Sequence, residues 1–301
     1  MVSTVPPPTL FLDVSGRFAR DVEHPIVVAG VAIETARIDE LRHAILAVTG
    51  GRIIKWREVQ RDIATARRLF QSIGKRQIPA RATFILKHEP EWSAFWAMGD
   101  RLEIAVKAFP QSMPYATASM TLKYQIYGDG IADVLGFYLG RHKALLPPRA
   151  GVKQLRVVAV CDSDISGEQN QMMFREIFEK MQGSFPQTRD RLGIELRPEV
   201  SVKTEQEEPL LMLPDHIAGY IRSKQVYGTG PDNEYAEVIL GIDRVVGRWP
   251  ANLLNIGSQE FTDEFPQNVV AFEAAAALAK TDEGKAIIAR NEEARTRNAC
   301  G

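Results

Sequence analysis

The chain lacks most features that would place it in a familiar functional class. It has two cysteines among 301 residues, so neither a disulfide framework nor a Cys/His zinc cluster of the usual spacing is present. There is no glycine-rich phosphate loop and no Gly-x-Ser-x-Gly elbow, which disfavours nucleotide-driven motors, dehydrogenases and serine hydrolases. A formal net charge of −1 excludes a globally basic nucleic-acid coat but not local basic patches.

Long hydrophobic runs are also missing. No stretch reaches the roughly 18 apolar residues of a transmembrane helix, and residues 1–8 lack the basic flank and apolar core of a signal peptide. Cys161 lies in an apolar segment and Cys300 is next to last, a usage typical of reducing compartments. We therefore expect a cytoplasmic protein that has no membrane partner.

Short β-type segments alternate with amphipathic helical segments along the chain. This alternation predicts an α/β fold with a mixed five-stranded sheet flanked by helices. The loop between the first two strands is short enough for an antiparallel hairpin. The predicted strands are Leu10–Asp13, Pro25–Ile33, Arg81–Lys87, Arg156–Cys161 and Glu199–Lys203, and the predicted helices are Asp39–Val48, Glu58–Ile73, Met172–Met181 and Pro209–Lys224.

The domain organisation follows from where helical pattern interrupts the strands. Residues 1–230 are expected to form one domain that carries a helical insertion at about 91–146. Residues 231–301 read as a helical C-terminal extension packed on the same domain. The aromatic-rich insertion could bury itself, cover the site as a lid, or pair with a second copy to form a homo-oligomer; burial in the core is the default interpretation.

Two acidic residues directly follow buried strands. Asp13 closes the apolar run at 9–12, and Asp162 closes the run at 157–161. Open α/β sheets bind ligands at the carboxyl ends of their strands, so the two carboxylates are expected to lie close together. Asp, Ser and Gly are also common in turns, and each aspartate could simply cap one.

Two more acidic residues are candidates for the same place. Asp215 lies in the apolar stretch 210–221, where a buried carboxylate needs a partner, and the small residues Ala218 and Gly219 leave room for a sheet to approach. An ion pair with Arg222 or a role in helix capping is the structural alternative. Glu58 begins an amphipathic helix, where it could also serve only the helix dipole.

Several carboxylates in one place repel each other unless a cation neutralises them. Oxygen-rich clusters of this kind bind hard divalent metals. A pair of Mg²⁺ or Mn²⁺ ions about 4 Å apart would relieve the repulsion, activate water and stabilise the leaving oxygen of a phosphodiester. The four acids therefore suggest a metal site.

Four segments resemble, in order, the motifs of the family called domain of unknown function 3800. Residues 12–16 (Leu-Asp-Val-Ser-Gly) resemble its "DESG" opening, 56–58 (Trp-Arg-Glu) its second motif, 160–162 its strand-Asp, and 210–220 its closing "LQLADxxAG" helix. The similarity covers Leu10 to Arg222. Val14 replaces the usual second acid of the first motif, and Met212 and Pro214 alter the last one.

This resemblance implies a ribonuclease H-like fold and a metal-dependent nuclease site. The leading hypothesis is hydrolysis of DNA or RNA at an acidic site that holds Mg²⁺ or Mn²⁺. The alternative is a non-catalytic nucleic-acid-binding or sensor protein of a bacterial defence or mobile-element system. The implied catalytic and metal-binding tetrad is Asp13, Glu58, Asp162 and Asp215, and the side chains proposed to orient phosphate are Lys55, Arg57, Arg222 and His216.

Overall fold

A computed structural model describes most of one compact unit of the chain. The described residues are 5–17, 26–61, 63–85, 118–142, 153–163, 167–168, 171–172, 194–227, 246–248, 282, 285–286 and 289. The first unit comprises Met1–Arg17, His24–Ile85 and Ile126–Arg248, and the second comprises Phe18–Glu23, Leu86–Gln125 and Trp249–Gly301. Both candidate sites discussed below lie in the first unit.

The first unit is built on one mixed sheet of six strands in the order β5-β4-β1-β2-β3-β6. β2 runs antiparallel to its neighbours β1 and β3, which confirms the predicted hairpin, whereas β1, β4 and β5 are mutually parallel. The strands are β1 Pro8–Ser15, β2 Ile26–Glu34, β3 Ala80–Ile85, β4 Lys153–Asp162, β5 Ile194–Lys203 and β6 Val246–Arg248.

The predicted fold class is confirmed: the sheet is mixed, flanked by helices and ribonuclease H-like, and all five predicted strands are present. The sixth strand was not predicted. Val246–Arg248 falls in the segment 231–301 that we expected to be helical, so the helical prediction is wrong there. Pairing with β3 creates this strand, and a three-residue edge strand has no pattern of its own in the sequence. Of the remaining extension, only 282, 285–286 and 289 are described, and they are helical.

Four α-helices flank the sheet in the described part of the chain. None of them is long and apolar enough to cross a membrane. The predicted helix 172–181 and most of the predicted insertion lie outside the described residues. The α-helices are α1 Ile38–Thr49, α2 Ile63–Lys75, α3 Ala118–Arg141 and α4 Met212–Tyr227, and short 3-10 helices cover Thr35–Arg37, Trp56–Arg61 and Pro209–Leu211.

The sheet is covered on both faces, which explains why its central strands are almost continuously apolar. On one face, alternate β2 residues such as Val31 pack in a common core with α1, α2 and α4. On the other face α3 crosses the sheet closely. A Cβ on Gly30 of β2 would lie 2.6 Å from Val134 of α3, and one on Gly130 would lie 2.7 Å from Val28. The carboxyl ends of β1, β4 and β5 therefore border an enclosed core.

Candidate functional site

Asp13 and Asp162 lie side by side at the carboxyl ends of neighbouring parallel strands. The β1–β4 register pairs Leu12 with Cys161, so the next residue on each strand is the predicted acid. Both aspartates are buried, with 6% and 7% of their surface exposed. Burial raises the pKa of the Cys161 thiol, and the charges of both aspartates raise it further. The structure therefore brings this predicted pair together.

A third carboxylate, Glu205, joins them from the next strand and was missed in the sequence. The β4–β5 register pairs Asp162 with Lys203, and Glu205 follows two residues later with 2% of its surface exposed. The signal was available, because the reasoning that selected Asp13 and Asp162 applies equally to an acid after the fifth strand.

Lys55 supplies positive charge at this place. Its Nζ lies 2.5 Å from Oε1 of Glu205. Burial lowers the pKa of Lys55, but the hydrogen bond and charge of Glu205, together with the charges of Asp162 and Asp215, raise it overall. A buried carboxylate without a partner is costly, so this ion pair explains how Glu205 is tolerated.

Asp215 reaches the cluster from the first turn of α4. Its carboxyl group is hydrogen-bonded to that of Asp13, and its Oδ2 accepts the backbone N–H of Trp56 at 2.6 Å. Burial raises its pKa to about 6 and the charge of Glu205 adds to the rise, while the Trp56 N–H, Lys55 and Asp13 oppose it. The protonated form of Asp215 is therefore favoured more than that of an exposed aspartate, because burial and nearby like charge both disfavour the carboxylate.

The alternatives considered for Asp215 are not formed. Among the described residues it makes no ion pair with Arg222, and it lies inside α4 (Met212–Tyr227) rather than at its cap. The capping role at the preceding 3-10 helix belongs to Glu208, whose side chain accepts the N–H of Leu210. The carboxylate of Asp215 is instead directed to the acidic cluster.

Trp56 packs on α4 and thereby holds the segment that carries Lys55 in place. The indole Nε1 donates to Oγ of Ser223 at 3.2 Å, and the ring meets His216 and Tyr220 edge-on with centroids 6.0 and 6.1 Å apart. A Cβ on Gly219 would lie 2.0 Å from the Trp56 ring. α4 does pack closely on β1 and β2, with Ala218 in the common core, as the small residues predict. The space beside Gly219 itself is filled by an indole from a loop far away in sequence.

Glu58 occupies a different setting from the one predicted. It lies in the 3-10 helix Trp56–Arg61, with its N–H bonded to the carbonyl of Lys55 at 2.9 Å, and α2 begins only at Ile63. The prediction of an α-helix starting at Glu58 is wrong. Packing of Trp56 on α4 holds residues 56–61 in a 3-10 helix, and α2 begins after it. Among the described contacts, Glu58 acts on the site through its charge, which opposes the lowering of the pKa of His216.

His216 is fully buried beneath the acids. Its Nδ1 lies 2.8 Å from the carbonyl oxygen of Met212, so Nδ1 carries the proton that is donated. Burial lowers its pKa to about 4, and the ring is neutral at neutral pH. Its Nε2 therefore presents a lone pair that has no hydrogen-bond partner among the described residues. In this state His216 has no surface with which to contact a phosphate.

The other predicted phosphate ligands differ in availability. Lys55 is engaged by Glu205. Arg57 is exposed, and Arg222 is half-buried with its Nε lacking a hydrogen-bond partner in the described part of the chain. The two arginines are therefore the cations with capacity for a further acceptor.

The donor set fits a divalent cation in chemistry but not in spacing. The acidic side chains that converge here offer carboxylate oxygen, the ligand preferred by Mg²⁺ and Mn²⁺. Yet no three His, Cys, Asp or Glu side chains of the described residues are close enough together to hold a metal ion. In the arrangement described, Lys55 balances part of the negative charge instead, and the pKa of Asp215 is raised to about 6.

Comparisons with known proteins add little. No family model matches the chain, and no curated protein matches it. Among solved structures, the chain is similar to one from the complex of PCNA with ribonuclease HII of Archaeoglobus fulgidus, with 18% identity, 81% of this chain and 95% of that chain covered, and a TM-score of 0.38. This similarity is too low to support a function, and the fold assignment rests on the strand order and register of the chain itself.

Proposed function

We propose that this protein is a divalent-metal-dependent nuclease that hydrolyses phosphodiester bonds of DNA or RNA. The carrying observation is the excess of buried carboxylates at the carboxyl ends of β1, β4 and β5, with a carboxyl group whose pKa is raised to about 6. Such an excess is costly for stability and is typical of sites that bind cations. Membership in the domain of unknown function 3800 family and a cytoplasmic location are part of this proposal.

Asp13, Asp162 and Asp215 would hold Mg²⁺ or Mn²⁺, with Glu58 and Glu205 as further acidic donors. The bound ions supply Lewis acidity that lowers the pKa of water and stabilises the leaving oxygen. Asp215, whose pKa is raised to about 6, would bind the ion as a carboxylate, and Arg57 and Arg222 would provide positive charge for the phosphate. Burial of the carboxylates strengthens each of these interactions, because screening by water is weak there.

Lys55 is a built-in counter-cation in this proposal. Its ammonium group contacts Glu205 and interacts with the charges of Asp162 and Asp215. It therefore supplies positive charge that a bound metal ion would otherwise supply. We expect Lys55 to leave Glu205 when the site is loaded, and the freed ammonium group is then able to contact phosphate. The absence of a preformed three-ligand group among the described residues is consistent with this exchange.

Thermal melting during Mn²⁺ titration tests the site before any substrate is known. Binding to the folded state alone should raise the melting temperature in proportion to the logarithm of metal concentration. Asp13→Asn combined with Asp162→Asn should abolish the rise, and Glu205→Gln should weaken it. Glu199→Gln is the matched control. Glu199 lies on β5, the strand that Glu205 follows, but it is exposed and paired with Arg156 at 2.6 Å.

Cleavage assays follow with single- and double-stranded DNA and RNA in Mn²⁺. Loss of cleavage in the double variant, with retained cleavage in Glu199→Gln, supports the nuclease. The alternative of a non-catalytic nucleic-acid-binding or sensor protein is favoured by the charge balance that Lys55 already provides. Binding of nucleic acid without metal-dependent stabilisation or cleavage would establish that alternative.

A further inference from the structure

A polar cavity lies at the end of β1 opposite the acidic cluster. It has a volume of about 230 Å³ and is bordered by the end of β2, the start of α1 and the C-terminal ends of α2 and α3. Glu34, which lines it, pairs with Pro8 at the start of β1, so it is separated from Asp13 by roughly 17 Å of strand. The charged and aromatic side chains of this basic pocket are Glu34, Arg37, Arg76, Tyr138, Arg141 and His142.

Positive charge exceeds negative charge in the basic pocket. Three arginines face one carboxylate, that of Glu34. Arg76 Nη1 donates to Oγ of Ser72 at 2.9 Å, and Arg141 Nη1 donates to the carbonyl of Gln77 at 2.8 Å. Both acceptors are neutral, and within the described part of the chain neither guanidinium forms an ion pair with a carboxylate. The acceptors orient the arginines and leave their charge uncompensated.

Arg37 adds a third guanidinium at the start of α1. Its only ion pair among the described residues is with Glu40 at 3.9 Å, and both side chains are well exposed. Exposed pairs at that distance contribute little free energy, so Arg37 is available to another anion.

Free carbonyls at the helix C-termini do not bind the guanidinium groups of Arg76 and Arg141. Basic residues often follow helix C-termini because free carbonyls attract them. Here the last carbonyls of α2 accept backbone N–H groups: Arg76 bonds to Ser72, Gln77 to Gly74 and Ile78 to Ile73, with Gln77 at φ 50° closing the turn. At the end of α3, the N–H of His142 likewise bonds to the carbonyls of Tyr138 and Leu139.

An aromatic pair forms part of the wall. The Tyr138 hydroxyl donates to the carbonyl of Pro6 at 2.8 Å, and the ring of His142 lies 4.5 Å from that of Tyr138. The cavity volume of about 230 Å³ is smaller than that of a typical drug-sized site. Its size and its planar guanidinium donors suit a compact phosphate ester, because arginine binds phosphate oxygens in a bidentate manner.

We propose that the basic pocket binds a phosphate monoester through Arg37, Arg76 and Arg141. The phosphate belongs either to a small phosphorylated molecule or to the 5′-phosphorylated end of a nucleic acid. This site is separate from the acidic cluster and does not depend on the proposed nuclease activity.

Isothermal titration calorimetry of the full-length protein with ribose 5-phosphate and with inorganic phosphate tests the pocket. The double variant Arg76→Gln/Arg141→Gln should weaken binding of ribose 5-phosphate about tenfold or more, since it removes two charge-assisted donors. Arg37→Gln should weaken it several-fold and leaves the other two arginines and their anchors in place. Arg156→Gln removes an exposed arginine paired with Glu199 and should leave binding unchanged.

Competition then identifies the source of the phosphate. Displacement of ribose 5-phosphate by a 5′-phosphorylated oligonucleotide, but not by its 5′-hydroxyl counterpart, assigns the site to nucleic-acid ends. No displacement by either assigns it to a small molecule. The proposal is overturned if ribose 5-phosphate does not bind, if Arg37→Gln and the double variant bind like wild type, or if both oligonucleotides compete equally.

Discussion

The two ends of the β1 strand carry opposite excesses of charge, and they tolerate them in different ways. At the carboxyl end, the carboxylates of Asp13, Asp162 and Glu205 are buried, Lys55 supplies a counter-charge, and the pKa of Asp215 is raised to about 6. At the amino end, arginines sit at the rim of a cavity and are held by neutral acceptors. Removing the partner of a buried charge strongly lowers the stability of the folded state, whereas a charge at the rim of a cavity is solvated by water and affects stability little. Substitutions at the two ends should therefore have very different effects on stability.

The largest effect on the free energy of unfolding is expected for Gly219→Ala, which displaces Trp56 and with it the segment that carries Lys55. The new Cβ would lie 2.0 Å from the Trp56 ring, so the indole has to leave its place on α4. We expect a loss of about 3 kcal/mol in the free energy of unfolding, similar to removal of a buried aromatic. Urea denaturation measures it.

The matched control for that substitution is Gly136→Ala. Gly136 lies in α3, and a Cβ there meets nothing within 4 Å. Replacing an exposed helical glycine by alanine should stabilise the protein by about 0.5–1 kcal/mol. Equal effects of the two substitutions would show that Trp56 does not fill the space beside Gly219.

Removing the counter-cation should have the next largest effect. Lys55→Met keeps the aliphatic stem but leaves Glu205 buried at 2% exposure without its partner. Because Lys55 itself is partly exposed, we expect a loss of about 2 kcal/mol rather than the full cost of an unpaired buried charge. Glu205→Gln should recover most of this loss in the Lys55→Met background, and a double-mutant cycle would measure the coupling. Additive effects would contradict the ion pair.

Asp215→Asn removes a negative charge from the acidic cluster. It should increase the free energy of unfolding, by less than Lys55→Met decreases it. The pKa of Asp215 is raised to about 6 from 3.8, so its protonated form is favoured in the folded state. Its favourable contribution is fully present below pH 3.8 and is lost as the pH rises through 6. Asp215→Asn keeps an oxygen acceptor for the Trp56 N–H and removes this loss, so the variant should be more stable by about 1–2 kcal/mol at pH 8.

Urea melts at pH 5 and pH 8 measure this difference. The advantage of Asp215→Asn over wild type should shrink toward pH 5, where the wild-type carboxyl is largely protonated. A variant that is less stable than wild type at pH 8 would mean that the Asp215 carboxylate is stabilising there. The same variant should lose stabilisation by Mn²⁺, which separates stability from function at one position.

The smallest effect is expected at the amino end. Arg76→Gln removes one bond to Ser72 at a partly exposed site and relieves repulsion between arginines. We expect the free energy of unfolding to change by no more than about 0.5 kcal/mol. A loss as large as that of Lys55→Met would mean that the two ends do not differ in the way described.

The sequence predicted those features that arise from local pattern. All five main strands, the antiparallel hairpin and the positions of Asp13 and Asp162 at strand ends follow from alternation, β-branched residues and the rule for α/β sheets. Partial burial of Asp215 also follows, because its helix is mostly apolar and carries one acid. These predictions need no knowledge of distant partners.

The missed features depend on contacts between distant residues. Trp56 fixes the 3-10 helix by packing on Gly219, and neither residue indicates the other in the sequence. Glu205 owes its role to Lys55, which is 150 positions away in the chain. β6 exists only because β3 offers an edge. The sequence therefore indicates the positions of Asp13, Asp162 and Asp215, but it does not indicate how Lys55 balances their charge together with that of Glu205.

The fit between Trp56 and Gly219 also constrains how this chain can diverge. With a Cβ at 219 only 2.0 Å from the indole, neither position can change freely while the other stays as it is. A larger residue at 219 requires a smaller one at 56, and substitution at 56 in turn removes the reason for glycine at 219. Positions 56 and 219 should therefore vary together among related chains. Chains that keep both tryptophan and glycine are expected to keep Lys55 next to the acidic side chains.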